Sequence, residues 1–441
     1  MNRPDDAVRS AVQSFDTAIA ERSISQLEAA YGSLTSLPRH ILADHAGELG
    51  PHLAQHLDDM PEWHAAVYAV FVGALVEWNA DALVCARPLL SGLRSAMEQA
   101  LEFAGLWERH HGEDQEPPDP SGLPSPEQQE AFGPDYEDVW HAPYFGWLTV
   151  HRWEQAAVAV LADPRVRAGL DAPDPVADRA ALVELTRRLE PHIGDLQCAQ
   201  RALLLLDDEP LLVLDRASGR AFRLRMSGIA DNYQLQTLLG ARLIGGGHLG
   251  GDAPSTEAVA LSTDAPIDMD RLGGLPGTLE CFNFSEPSGQ WIWSATTPDR
   301  IPACDGVRRL VLDPPVMRHH YKAVRFLPRV PGRLELEAVL EPDEAATFFP
   351  DLEDLMSWQE ASRQAAHGYA PDPADPATPA GSVRTRPSMW RRFLRTVTPR
   401  SGSGGRGLPR AAALLITAPA PGETSSMLEA HRISTGFVEK R

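Results

Sequence analysis

Lysine is almost absent from this chain of 441 residues. Only Lys322 and Lys440 are lysines among 40 basic residues, and 61 acidic residues leave a formal net charge of −21. Duplex nucleic acid is bound by a basic face that neutralises phosphates, so this chain is not expected to bind nucleic acid. Arginine occupies nearly all the basic positions, as a general preference of this chain. The presence of an arginine is therefore poor evidence that a site recognises phosphate.

Cysteine and long apolar runs are also scarce. The four cysteines lie far apart, with no C-x-x-C pair to indicate zinc or a redox centre, and we interpret them as buried, reduced thiols. The longest apolar run, 65–76, is far shorter than the ~20 residues that cross a bilayer. Residues 1–10 contain no apolar segment typical of a secretory signal. We therefore expect a soluble, cytoplasmic protein.

Apolar residues recur at helical spacing through the first part of the chain, with proline near the ends of the runs. The segment 61–79 is apolar nearly all round, which places it at the centre of a helical array. The predicted helices are 5–21, 24–35, 38–46, 51–58, 61–79 and 87–109. Helical patterning returns at 136–204, with helices predicted through Leu161, over 174–189 and over 193–205.

After Asp208 the spacing changes from helical to strand-like. Residues 211–227 hold two alternating runs around Ala217, Ser218 and Gly219, which predicts a β-hairpin. Asp231 and Gln234 form a capping pattern for a helix that runs to about Leu243. Further strands are predicted at 278–284, 290–295, 308–313 and 333–340, and acidic helices at 342–366.

These patterns predict an α+β fold class: an N-terminal antiparallel helical array, then a mixed helix and antiparallel-sheet unit, then a disordered tail. Composition shifts and the acidic, proline-rich stretch after Arg109 give the domain limits. They are 1–111 for the helical array, 112–135 for an acidic linker, 136–366 for the α+β unit (helical over 136–206, strand-rich over 207–350) and 367–441 for an arginine-rich, mostly disordered tail. Whether 1–111 and 136–206 pack as one domain stays open.

Several residue sets have the chemistry of a site but also an ordinary structural explanation. His52 and His56 share a helix face at a spacing that can bind a metal, yet no third ligand is identifiable, so no metal and no cofactor are assigned. Residues 245–251 contain the letters G-x-G-x-x-G, but a helix rather than a strand precedes them, which favours a loop over a nucleotide site. Cys281 or Cys304 with a histidine could form a nucleophilic pair, although an inert buried cysteine explains them as well.

The ligand-contact candidates come from an aromatic cluster and from histidines of the strand-rich segment. An aromatic cluster can line an apolar pocket or form the core between two units, and a basic strand edge can hold an anion or discourage aggregation. These candidates are Trp140, Tyr144, Trp147, His248, His319 and His320.

The tail contains a short basic amphipathic segment, 387–399. Its apolar residues fall on one helical stripe and its arginines on the other, a pattern suited to a partner groove, an anionic membrane surface or the chain's own acidic segment 113–138. The docking candidates are Trp390, Arg391, Arg392, Phe393, Leu394 and Arg395.

Two functions remain in competition. The leading hypothesis is a non-enzymatic interaction or regulatory protein with a protein partner, which uses a helical or α+β surface and the basic tail. It is favoured because every catalytic pattern in the sequence fails its context requirement. The alternative is an enzyme of unrecognised family with its site in 207–350, near loop 245–251 and His319–His320.

Overall fold

The computed structural model describes residues 4–112, 115–120, 132, 139–171, 178–193, 196–267, 278–314, 320–321 and 323–349. These fall into two compact units, a helical unit that ends at Leu203 and a sheet unit that begins at Leu204. The predicted tail, 367–441, lies outside the described residues. The α+β fold class is confirmed.

The described part of the helical unit is built from helices joined by short connections. A 3₁₀ turn, Leu57–Asp59, separates the third and fourth helices. The helices are α1 (Pro4–Glu21), α2 (Ile24–Thr35), α3 (Arg39–Ala54), α4 (Glu62–Glu77), α5 (Ala82–His111), α6 (His141–Leu161), α7 (Pro164–Gly169), α8 (Arg179–Leu189) and α9 (Gln197–Leu203).

Side-chain caps fix where several of these helices begin. Ser23 Oγ accepts the backbone N–H of Gln26 at the start of α2, and Asp81 Oδ1 accepts that of Leu83 at the start of α5. Such caps satisfy amides that have no partner inside the helix. The helix starts are therefore encoded by residues next to them in sequence.

Helix α4 is buried on nearly all sides, as its continuous apolar sequence predicts. It packs against α6 so closely that a Cβ added at Gly73 would lie 3.0 Å from Ala156 Cα. Helix α6 also packs against α5, where the Trp153 ring covers Gly92. Helix α6 therefore packs against the N-terminal helices α4 and α5. The domain limits given above stay a prediction.

Two predicted helix boundaries are wrong. The segments 38–46 and 51–58 are not separate helices, because α3 runs unbroken through Pro51 to Ala54. Proline removes one helical hydrogen bond, but burial of Leu49, Leu53 and Ala54 on one face offsets that cost. Similarly, α5 begins at Ala82 rather than 87 and contains Pro88.

The sheet unit combines a six-stranded sheet with short helices. A separate two-stranded pair joins β3 to β7. The elements are β1 (Glu209–Asp215), β2 (Arg220–Ser227), α10 (Asn232–Leu239), a π-helical turn (Gly240–Ile244), α11 (Thr256–Thr263), β3 (Thr278–Leu279), β4 (Asn283–Ser285), β5 (Ala303–Cys304), β6 (Val307–Asp313), β7 (His320–Tyr321), β8 (Arg333–Leu340) and α12 (Pro342–Ala345).

The larger sheet has the order β4-β6-β1-β2-β8, with β5 paired to β6. Strand β1 pairs with β6 in parallel, and the other pairs are antiparallel. The predicted hairpin forms as β1 and β2, and Gly219 adopts a φ of 69° in its turn, a conformation that glycine tolerates.

Strand β1 is buried on both faces. Leu211 and Val213 face a core that includes α10, and Leu212 and Leu214 face a second core with Leu340. This explains why residues 211–214 are a continuous apolar run rather than an alternating one. The sequence 290–295, predicted as a strand, forms only an isolated bridge from Trp291 to Ser285.

Among the helices that the structure describes, none combines the length and the apolar character needed to cross a bilayer.

Candidate functional site

The aromatic candidates of the helical unit lie inside its core. Trp140, Tyr144 and Trp147 are each 1% exposed and pack around the Phe103 ring. Trp147 Nε1 donates a hydrogen bond to the Pro118 carbonyl over 2.8 Å. Packing, together with the anchoring of residues 115–120 on the helices, accounts for these rings.

The two described histidine candidates, His248 and His320, lie in separate parts of the sheet unit. The His248 ring is 6.2 Å from the Phe222 ring, and the His248 carbonyl accepts a hydrogen bond from Arg220 Nη1. His320 is exposed in β7, opposite Leu279. His319 and the docking candidates Trp390 to Arg395 lie outside the described residues.

The glycine-rich loop 245–251 closes a helix end. The His248 and Leu249 amides both donate to the Leu243 carbonyl, over 2.8 and 2.9 Å. A nucleotide fingerprint instead requires a strand before the glycines and a helix that opens after them. The prediction of a loop agrees with this local geometry.

Cys281 is poorly suited to act as a nucleophile. Burial raises the pKa of its thiol to about 11, and the carboxylates of Glu280 and Asp252 act in the same direction. At neutral pH the side chain is therefore a thiol rather than the reactive thiolate.

The sheet unit exposes two tryptophans side by side, which we call the tryptophan shelf (Trp291 and Trp293). Their side chains are 45% and 61% exposed, and their ring centroids lie 4.2 Å apart with the planes inclined by 37°. Of the residues described in this unit, these are the large hydrophobic side chains that are exposed rather than buried or partly buried. The shelf is the feature of the unit that burial in a core does not explain.

A hairpin at the edge strand β4 carries the shelf. The Ile292 amide donates to the Phe284 carbonyl, and the Glu286 amide donates to the Gln290 carbonyl, so the chain folds back on β4. Ile292 and Ser294 alternate with the tryptophans and are buried. This alternation directs both indole rings to the same outer face.

Asn232 holds the far end of this hairpin. It is fully buried at the first turn of α10, and its Nδ2 donates to the Trp293 carbonyl over 3.1 Å and to Thr296 Oγ1 over 3.0 Å. Its backbone amide donates to the Thr296 carbonyl. The backbone beneath the shelf is therefore fixed to a helix in the core.

Gln236 and Glu280 hold the chain on the other side of the tryptophan shelf. Gln236, also fully buried, donates to the Phe282 carbonyl over 2.6 Å and accepts from the Phe282 amide over 3.2 Å. Ser294 Oγ donates to Glu280 Oε1 over 2.6 Å. Buried polar side chains with satisfied partners specify one geometry for a loop.

Two tyrosines lie next to this polar network. The rings of Tyr233 and Tyr321 are 4.9 Å apart, and the Tyr321 hydroxyl is 2.9 Å from Thr237 Oγ1. Burial, with the nearby carboxylates of Glu280 and Asp231, raises the pKa of both hydroxyls. Both hydroxyls therefore keep their protons at neutral pH, and the Tyr321 hydroxyl forms a hydrogen bond with Thr237.

No protein-family model, curated protein or solved structure matches this chain. Sequence reasoning did not single out the shelf, because W-I-W within 290–295 predicts only a strand with alternating faces. Which face meets solvent depends on packing against β4 and α10.

Proposed function

We propose that this chain is a non-enzymatic interaction protein whose recognition surface is the tryptophan shelf. The observation that carries the proposal is the pair of exposed, adjacent indoles on a hairpin that buried polar side chains hold in place. Rigid exposed aromatic groups supply contact area at little entropic cost, and tryptophan is enriched among the residues that dominate binding energy.

The charges around the shelf favour a cationic ligand. From 278 to 300 the chain contains three acidic residues, Glu280, Glu286 and Asp299, and one basic residue, Arg300. A guanidinium group over a tryptophan face gains about 0.5–1 kcal/mol at an exposed site. A peptide segment with arginines and a few apolar side chains matches both the rings and the carboxylates.

The chain's own tail has this chemistry. Segment 387–399 carries Arg391, Arg392 and Arg395 together with Trp390, Phe393 and Leu394, and no acidic residue occurs between Pro376 and Gly422. We propose that this segment binds the shelf of its own chain and that a partner protein with a similar basic segment displaces it.

The pKa shifts give no activated nucleophile or base among three side chains near the shelf. The Cys281 thiol and the Tyr233 and Tyr321 hydroxyls all keep their protons at neutral pH. The alternative is an enzyme with its site in 207–350. Its base or nucleophile would have to be a side chain of this unit other than these three.

A direct binding measurement tests this proposal. A chain that lacks 384–410 is titrated with a fluorescent peptide of residues 384–410, and anisotropy is recorded. We expect saturable binding that Trp291→Ala or Trp293→Ala weakens by about tenfold or more. Leu83→Ala, which removes an exposed apolar side chain of the helical unit, is the matched control and should have no effect.

A second peptide, with Arg391, Arg392 and Arg395 replaced by glutamine, separates charge from apolar contact. Its affinity should be lower, and its binding should depend less on salt. Absence of saturable binding, or equal affinity for the wild type and both tryptophan variants, would reject the shelf as the recognition surface.

A further inference from the structure

Helices α1 and α3 bring together three metal-ligating side chains in the helical unit. Asp16 lies on α1, His52 lies in the last turn of α3, and His56 follows that helix. One ligating atom from each lies within 4.8 Å of the others. The sequence indicated the two histidines but no third ligand, and the fold supplies it from a residue 36 positions before His52.

We propose that Asp16, His52 and His56 bind a divalent ion of the zinc class. Two imidazole nitrogens and one carboxylate oxygen suit Zn²⁺ and its transition-metal neighbours rather than Mg²⁺ or Ca²⁺, which prefer oxygen ligands. Three protein ligands leave a fourth position for water. The site is independent of the tryptophan shelf and of the function proposed for it.

An outer carboxylate already orients one of the ligands. Asp59 Oδ2 lies 3.0 Å from His56 Nδ1. A carboxylate at this position keeps the ring proton on Nδ1, so that Nε2 presents its lone pair to an ion. Metal-binding histidines commonly have such a partner on the second nitrogen.

A buried ring supports both imidazoles. The Phe15 side chain is fully buried, and its ring centroid lies 6.0 Å from that of His52 and 5.8 Å from that of His56, both in edge arrangements. The two imidazoles are 5.5 Å apart. Contact with a fixed ring limits their rotation, which lowers the entropic cost of bringing them to one ion.

The same groups form a hydrogen-bond network that an ion would replace. His52 Nε2 lies 2.7 Å from Asp16 Oδ1, and Gln55 Nε2 lies 3.3 Å from both His52 Nδ1 and His56 Nε2. Ion binding through His52 Nε2 moves the neutral ring's proton to Nδ1. The Gln55 amide then turns, so that its carbonyl oxygen accepts that proton's hydrogen bond.

The required movement is small. Ligands at about 2.0–2.1 Å from a tetrahedral ion lie roughly 3.3 Å from one another, so Asp16 and His52 separate slightly while His56 moves inward. The side chains of Asp16, His52 and His56 are 48%, 30% and 27% exposed, which leaves room for this shift and a path for the ion from solvent. A bound ion would join α1 to the end of α3.

Zinc titration of the full-length chain tests the site. The protein carries no histidine tag, is treated with EDTA and dialysed, and is then titrated with Zn²⁺ in a calorimeter while thermal unfolding is measured with and without the ion. We expect one equivalent to bind and to raise the unfolding temperature, because the ion favours the folded state. Co²⁺ should give the intense visible absorption of a tetrahedral site.

Variants assign the ligands. Asp16→Asn, His52→Ala and His56→Ala should each weaken zinc binding by at least about tenfold and remove the thermal shift, and Asp59→Asn should weaken it by about 10–100-fold. His45→Ala is the matched control, because His45 Nε2 lies 3.4 Å from Asp5 Oδ1 between the same two helices. Asp16→Asn preserves side-chain shape, and circular dichroism verifies the fold of each variant.

Three results would overturn the assignment. The first is a wild-type chain that binds no stoichiometric zinc. The second is a zinc affinity that is equal in the wild type and the three ligand variants. The third is a zinc affinity that His45→Ala reduces as strongly as His52→Ala does.

Discussion

Asn232 Nδ2 donates a hydrogen bond to the backbone carbonyl of Trp293 over 3.1 Å, and this bond ties the tryptophan shelf to the first turn of α10. The second proton of the same amide goes to Thr296 Oγ1. One buried side chain thus fixes the exit of the hairpin whose outer face carries both indoles. This contact connects the stability of the sheet unit to the geometry of the proposed recognition surface.

We expect Asn232→Ala to destabilise the sheet unit by about 1–3 kcal/mol, because a fully buried side chain loses both of its hydrogen bonds to the hairpin. The same change should weaken binding of the 384–410 peptide, since the hairpin loses its attachment. Urea unfolding and peptide anisotropy measure the two effects. Gln290→Ala, at an exposed position of the hairpin, is the control, and an equal loss in that variant would contradict the role of Asn232.

Gly92→Ala should destabilise the helical unit by about 1–3 kcal/mol, because a side chain there must displace a buried ring. A Cβ at Gly92 would lie 2.2 Å from the Trp153 ring. Gly32→Ala in α2 is the matched helical control: it meets nothing within 4 Å and should stabilise by roughly 0.5–1 kcal/mol. If Gly92→Ala raised the urea midpoint as Gly32→Ala is expected to do, the contact between α5 and α6 would be looser than described.

Alkaline pH should destabilise the sheet unit partly through Cys281. The folded state raises the pKa of this thiol from 9.0 to about 11, so its contribution is fully present below pH 9 and is lost as pH rises through about 11. The unfolded chain gives up the proton first and is thereby favoured. In Cys281→Ala the free energy of unfolding, measured with urea, should fall less steeply between these pH values. Cys304→Ala, at an exposed position, is the control and should show the same decline as the wild type.

The tail segment should also bind anionic membranes. Vesicles that contain phosphatidylserine are expected to bind the full-length chain, and deletion of 384–410 should abolish that binding. Added salt should weaken it, because exposed charges are screened.

Because the same segment is proposed to bind the shelf, Trp293→Ala should release it and increase vesicle binding. Vesicle sedimentation measures all three proteins. Equal sedimentation of the wild type and the deletion would exclude the tail as a membrane contact, and no increase in Trp293→Ala would count against its binding to the shelf.

Local features of the fold were predictable from the sequence. The β1–β2 hairpin follows from two alternating runs around Gly219, and Asp231 accepts the Gln234 amide over 2.8 Å, as the capping pattern predicts. The central burial of α4 follows from its apolar surface. Each of these signals lies within a few residues of the element that it specifies, so no knowledge of distant contacts was needed.

Other features depended on packing between distant segments. Pro51 was expected to begin a helix, but buried neighbours keep α3 continuous through it. The W-I-W sequence predicted a strand without showing which face would be covered. Trp140, Tyr144 and Trp147 were predicted either to contact a ligand or to fill a core, and the fold buries them around Phe103.

The sequence by itself determined the α+β class, most helix and strand positions and the acidic character of the chain, because periodicity, caps and turns act over short stretches. Only the tertiary structure decided that Asp16 meets His52 and that Asn232 holds Trp293. These partners are separated by 36 and 61 residues, and the packing of whole helices and strands, rather than any local pattern, brings them within hydrogen-bonding distance.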